Sequence, residues 1–159
     1  ILAAYGLLAK DYPGRKFCFM ECSREHGGEM FPHKTHQNGM SVDFMMPLKK
    51  GNEAYYDLDT LGAEHYWLTF DNEGRFSKDK SISIDFETVA LQVLRLNEAA
   101  KIFGLKVAKV IIKIELKDEL FAGHNGQKLK NSGIYVVQKL STIINSLHDD
   151  HFHIDFEKI

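Results

Sequence analysis

The clearest helical pattern in the chain is an apolar stripe between residues 85 and 104. Its members recur at intervals of three and four residues: Val89, Val93, Leu96, Ala100 and Phe103. This spacing places them along one face of an α-helix. Asp85 is a good N-cap and Gly104 a C-terminal stop. The pattern therefore predicts a helix from Asp85 to Phe103 that packs behind a sheet.

Two short windows alternate apolar and polar residues, which is typical of strands with one buried face. In the first window, Val42, Phe44 and Met46 alternate with Ser41, Asp43 and Met45. In the second, near the end of the chain, Phe152, Ile154 and Phe156 alternate with His151, His153 and Asp155. We therefore expect each strand to turn its apolar side towards the core and its polar side towards an accessible face.

The other segments are predicted from weaker patterns. Residues 1–12 resemble a short helix that Pro13-Gly14 ends, and residues 16–22 an extended strand. The β-branched run at 106–114 predicts a central strand, and 134–147 is either helix or strand. The aromatic-rich stretch 53–84 is interpreted as a small aromatic core beneath a long excursion. Alternatively, Tyr66 or Trp67 forms the wall of a cleft.

Composition narrows the class of protein without naming a function. The chain has 159 residues, of which 26% are charged and 44% hydrophobic, as in an ordinary globular protein. This length predicts a single domain over 1–159. The net charge of −2 and the lack of a basic block argue against a nucleic-acid partner. No apolar run approaches the roughly 20 residues of a membrane span. The apolar opening residues also lack the basic flank and cleavage site of a secretion signal.

Histidine is concentrated in the two strand windows and their flanks. Five of the eight histidines lie in residues 33–43 and 148–156. His36 precedes the first strand in a loop made pliable by Asn38-Gly39, so two strands and a loop can direct His36, Asp43 and His153 to one point. Two imidazoles and a carboxylate are a common ligand set for a catalytic zinc ion. His151 lies on the same face as His153, where a base or transition-state donor is needed.

These residues predict an α+β fold in which a small, mostly antiparallel central sheet carries the metal site and helices flank it. His65 lies apart from both clusters and is not expected to be a ligand. His124 is expected at a solvated loop tip, or alternatively in the cleft. Signatures of other catalytic classes are missing from the sequence, including the His-Glu-x-x-His helix, the Gly-x-Ser-x-Gly elbow and the dinucleotide fingerprint.

The spacing His-x-x-His-x6-Asp over residues 33–43, followed by His-x-x-His-x-His over 148–153, closely resembles the penicillin-insensitive murein endopeptidases. These belong to a group of zinc peptidases that also includes lysostaphin-type enzymes and D-Ala-D-Ala carboxypeptidases. The likeness is tight in 27–48 and 148–156 and loose elsewhere. It implies that one zinc ion is held by three residues and that three more histidines line the cleft. The ligands are His36, Asp43 and His153; the cleft histidines are His151, which assists catalysis, with His148 and His33.

The resemblance also implies a substrate and a location. It predicts a zinc metallopeptidase that cleaves D-alanyl to diaminopimelate cross-links in peptidoglycan, in the periplasm or outside the cell. One role stays open: in the related carboxypeptidases a glutamate three residues before the last zinc histidine is the base, and Asp150 has that spacing here. Strict alternation turns Asp150 away from the metal, which favours His151. Other functions consistent with the sequence are a non-catalytic zinc or cell-wall-binding module, and a peptidase of the same site type acting on another peptide.

Overall fold

A computed structural model describes residues 1–31 and 35–159 of the chain. These residues form an α+β fold of helices and two three-stranded antiparallel sheets, as expected. The helices are α1 (Leu2–Asp11), α2 (Phe86–Ile102), α3 (Lys117–Ala122), α4 (His124–Lys130) and α5 (Thr142–Ser146), with 3-10 turns at Gly62–Trp67 and Ile114–Leu116. The strands are β1 (Ser41–Met45), β2 (Leu48–Lys50), β3 (Glu53–Tyr55), β4 (Ile82–Ile84), β5 (Leu105–Ile111) and β6 (His151–Lys158).

The larger sheet has the order β1-β6-β5 and brings the two histidine-rich windows together. Strand β1 pairs with β6 so that Asp43 lies opposite His153 and Phe44 opposite Phe152. The two phenylalanine rings stack with centroids 5.3 Å apart, and both are fully buried. The predicted alternation is therefore confirmed for the apolar side of both strands.

Two expectations about this sheet were wrong in detail. The β-branched run forms β5, but β6 is the middle strand, because both β1 and β5 pair with it. The segment 16–22 is extended but irregular, with one bridge between Phe19 and Phe44. Its backbone nevertheless bonds to β1, since the Met20 amide donates to the Asp43 carbonyl. That segment thus covers part of the outer edge of β1.

Helix α2 lies behind the larger sheet, as its stripe predicts. The Asp85 carboxylate caps it by accepting the Thr88 amide, and Val89 and Val93 are almost fully buried. The stripe stops short of its predicted end: the helix ends at Ile102, and the Phe103 side chain is 69% exposed. The helix thus supports the sheet over most of its length, and only its last turn extends past the core.

Residues 48–84 hold the smaller sheet, of order β3-β2-β4, and an aromatic contact between Phe70 and Phe76. Both rings are buried, and they belong to the same hydrophobic core as the larger sheet. The 3-10 turn Gly62–Trp67 connects β3 to this core. Within the described residues, the helices are all too short or too polar to cross a membrane.

Candidate metal centre

The three predicted ligands converge at one point above the larger sheet. Asp43 on β1 and His153 on β6 are paired in register, and their Oδ1 and Nδ1 atoms lie 2.7 Å apart. His36 enters from the preceding loop and places Nε2 3.1 Å from His153 Nδ1 and 3.3 Å from Asp43 Oδ2. The predicted meeting of these residues is therefore present in the structure.

The loop that carries His36 is held against residues 23–28. The Gly28 amide donates to the Gln37 carbonyl at 2.9 Å, and the Gly39 amide donates to Ser23 Oγ at 2.6 Å. Gly27 has a φ of +69°, and a Cβ atom there would lie only 2.5 Å from the Gln37 carbonyl oxygen. Glycine is thus required at this position by both conformation and space.

The geometry of the cluster fits a metal ion. Each of the three residues offers one ligand atom, and these atoms lie within 4.8 Å of one another. A tetrahedral zinc site with bonds of about 2.0–2.2 Å separates its ligand atoms by roughly 3.3 Å. The two imidazole nitrogens lie 3.1 Å apart, and each lies near one oxygen of the Asp43 carboxylate, at 2.7 and 3.3 Å, which is close to that spacing. The buried group of His36, Asp43 and His153 can therefore hold a metal ion.

The electrostatics of the cluster also suit a cation. Burial raises the pKa of Asp43, but hydrogen bonds from His153 and His36 outweigh burial and hold that pKa well below its usual range. Burial lowers the pKa of His153, but its bonds to Asp155 and Asp43 raise it to about 9. Only a neutral imidazole ligates a metal, so binding at His153 requires the loss of a proton.

Asp155 contacts the far side of the His153 ring. Its Oδ1 atom lies 2.7 Å from His153 Nε2, the nitrogen that points away from Asp43. Burial raises the pKa of Asp155, but hydrogen bonds from His153, Lys109 and Ser41 lower it well below its usual range. Asp155 is therefore ionised at neutral pH. Alternation predicts that Asp155 shares a face of β6 with His153, because the two residues are two apart, but no role for Asp155 was predicted from this.

Next to the ligands lies a second group made of His151, Asp150 and His148. His151 Nδ1 lies 2.8 Å from Asp150 Oδ1, so the carboxylate fixes the orientation of that ring. The rings of His148 and His151 pack with centroids 4.8 Å apart. Burial, with a further contribution from His151, lowers the pKa of His148 to about 4. His148 is thus neutral at physiological pH, with its Nδ1 bonded to the Ile144 carbonyl.

Tyr66 connects the ligands to the histidine pair. Its hydroxyl donates to Asp43 Oδ2 at 3.1 Å, and its ring contacts the His151 ring edge-on at 4.9 Å. Burial, followed by the charge of Asp43, raises the pKa of Tyr66 well above its usual range, so the phenol keeps its proton. From the sequence, Tyr66 was predicted only as a possible wall of a cleft. Its contact with Asp43 was not predicted, because no motif links the two residues. Trp67, the other candidate for the wall, is 79% exposed.

The remaining histidines have varied positions. His33 lies outside the described residues. His65 is fully buried with Nε2 3.2 Å from the Asp150 carbonyl, and it is not one of the three grouped ligands. His124 is exposed at the start of α4. One expectation is corrected: the polar face of β6 is not open, because His151 and His153 are each only 4% exposed beneath the ligand loop and Tyr66.

Three comparisons were made, with protein-family models, with curated proteins and with solved structures, and none of them finds a match for this chain.

Proposed function

We propose that this chain is a zinc-dependent peptidoglycan hydrolase, an endopeptidase that cleaves D-alanyl to diaminopimelate cross-links. The observation that carries the proposal is the convergence of His36, Asp43 and His153. Their spacing in the sequence resembles that of the murein endopeptidases, and the fold brings the same three residues together. A substrate of this kind places the protein in the periplasm or outside the cell.

The charge of the ligand set supports hydrolysis. Two neutral imidazoles and one carboxylate leave a divalent cation with net positive charge. Zinc held by such a set lowers the pKa of a water molecule to near neutrality and polarises a carbonyl group. If these three residues held zinc, one coordination position would remain for water or substrate, as in catalytic zinc sites and not in structural ones.

In this proposal His151 acts as the proton acceptor. Asp150 Oδ1 accepts the Nδ1 proton of His151 at 2.8 Å. The lone pair of the ring is thereby left on Nε2, as in other histidine bases that a carboxylate orients. This arrangement supports His151 as the base over Asp150, whose carboxylate is engaged by His151. Asp150 then serves to orient His151.

Two further side chains stabilise the reacting groups. Tyr66 donates its hydroxyl hydrogen to Asp43 and keeps one ligand oxygen in place. His148 packs its neutral ring on His151. This packing helps to fix the position of the His151 ring.

The proposal is tested by zinc content and by digestion of purified cross-linked muropeptides. Elemental analysis should give one zinc per chain in the wild type and little in His153→Ala. Mass spectrometry should show dimeric muropeptides converted to monomers by the wild type only. His151→Ala should keep its zinc and cleave about 100-fold or more slowly, the usual range for a general base.

His26→Ala provides a matched control, because His26 is exposed and belongs to neither group. It should keep both zinc and activity. Zinc bound by the wild type without cleavage of any muropeptide would favour the non-catalytic binding module. Full activity in His151→Ala would instead move the role of base to Asp150.

A further inference from the structure

The ligand His153 is held on both of its ring nitrogens. Nδ1 faces Asp43 and His36, at 2.7 and 3.1 Å. Nε2 faces the opposite way and lies 2.7 Å from Asp155 Oδ1. A carboxylate that accepts the Nε2 proton leaves the lone pair on Nδ1, directed at the cluster. Carboxylates in this position orient metal-binding histidines and increase their basicity.

Asp155 is itself held by both neighbouring strands. In register, it is paired with Ser41 on β1 and with Lys109 on β5. Ser41 Oγ donates to Asp155 Oδ1 at 2.5 Å, and Lys109 Nζ contacts Asp155 Oδ2 at 2.8 Å. The Asp155 side chain is only 17% exposed. Its carboxylate therefore has a fixed direction, which an exposed acidic side chain lacks.

We infer that Asp155 is a positioning residue for the metal centre. By accepting the Nε2 proton it selects the tautomer of His153 whose Nδ1 can bind a cation, and it fixes the plane of the ring. Lys109 and Ser41 hold the carboxylate at its place on the sheet. The inference rests on the proposed function, since it requires that the three-residue group binds zinc. It assigns a role to a residue that contacts His153 but does not belong to the three-residue group.

Glu157 provides a matched control on the same strand. It lies two residues beyond Asp155 and pairs across to β5 through Lys106, with Nζ to Oε1 at 3.0 Å. Both side chains of that pair are about half exposed. Glu157 thus repeats the cross-strand ion pair of Asp155 without its bond to a ligand.

The first experiment measures zinc affinity by competition with a chromogenic chelator. Asp155→Ala should bind zinc about 10- to 100-fold more weakly, the usual effect of losing such a partner. Glu157→Gln should bind zinc as the wild type does. Urea unfolding in the presence of a chelator reports on the fold of each variant without metal.

A rescue distinguishes positioning from a structural role. In Asp155→Asn the single amide oxygen has to serve both Lys109 and His153, so zinc affinity should fall. Adding Lys109→Met removes one of these donors, and the double variant should recover part of the lost affinity. If the pair of Asp155 and Lys109 only stabilised the sheet, no rescue would occur. The double variant would then bind zinc no more tightly than Asp155→Asn does.

The tautomer can be observed directly. A long-range ¹H–¹⁵N spectrum of the zinc-loaded wild type should show His153 protonated at Nε2 and ligated at Nδ1. Wild-type affinity in Asp155→Ala, an equal loss in Glu157→Gln, or protonation of His153 at Nδ1 would overturn the inference. Failure of the wild type to bind zinc would also overturn it. Zinc binding without muropeptide cleavage would reject only the proposed function, because the affinity series does not depend on turnover.

Discussion

Gly27 provides a test of how the metal centre depends on its supporting loop. It is not one of the three grouped residues, yet it lies against the carbonyl oxygen of Gln37, the residue after His36. A Cβ at Gly27 would lie 2.5 Å from that oxygen, whereas ordinary contacts begin at 3.4 Å. Gly27→Ala should therefore push the Gln37 backbone away by up to about 1 Å and displace His36 with it.

Gly27→Ala should have two effects, one on folding stability and one on zinc affinity. An alanine at positive φ costs about 1–2 kcal/mol of folding stability at any such position. The effect on zinc affinity is specific to this loop, because the loop carries His36 and metal ligands need to be held within about 0.5 Å of their working positions. We expect zinc affinity to fall by about 10- to 100-fold, which corresponds to roughly 1.4–2.7 kcal/mol.

Gly14→Ala separates the effect on folding stability from the effect on zinc affinity. Gly14 has a similar φ of +81°, but a Cβ there would meet nothing within 4 Å. Both variants should lose similar stability in urea unfolding with chelator present, but only Gly27→Ala should lose zinc affinity in chelator competition. If Gly27→Ala bound zinc as tightly as Gly14→Ala does, the loop would not position His36 in the way described.

Two further predictions concern the core and the pH response. Phe152→Ala should lower the free energy of unfolding by about 3–5 kcal/mol, because Phe152 is fully buried against Phe44. In urea titration the free energy of unfolding should change by only about 0.5 kcal/mol for Phe103→Ala, because Phe103 is exposed. Equal losses in the two variants would contradict the burial of Phe152. Folding lowers the pKa of His148 from 6.5 to about 4, so below pH 6.5 the unfolded chain takes up a proton that the folded one does not. Stability should therefore fall as the pH drops from 6.5 to 4, and less steeply in His148→Gln than in the wild type or the exposed His26→Gln; parallel curves would refute this.

Local patterns were enough to predict which residues face the candidate metal centre. Side chains two apart on a strand share a face, so the alternation around Asp43 and His153 indicated their direction before any pairing was known. Alternation does not give strand order, because it describes the two faces of a single strand and not its neighbours. The choice of β6 as the middle strand depends on which surfaces fit together in three dimensions.

Long-range contacts explain what the sequence did not predict. Tyr66 reaches Asp43 from a 3-10 turn, and no periodic pattern indicates where such a turn points. The bond between Asp150 and His151 joins sequence neighbours. Strict alternation puts those side chains on opposite faces, but Asp150 precedes β6, where that rule does not apply. The sequence indicates Asp150 and His151 as alternative bases, and only the tertiary structure gives their contacts.

The order in which the chain is made bears on when the metal centre can exist. The middle strand of the larger sheet, β6, is the last of the described elements to be synthesised, although β1 and β5 both pair with it. Asp43 and His153 are 110 residues apart in sequence. Until β6 inserts between β1 and β5, neither strand has its main pairing partner, and Asp43 has no contact with His153. The group of His36, Asp43 and His153 therefore cannot be complete before β6 has paired with β1.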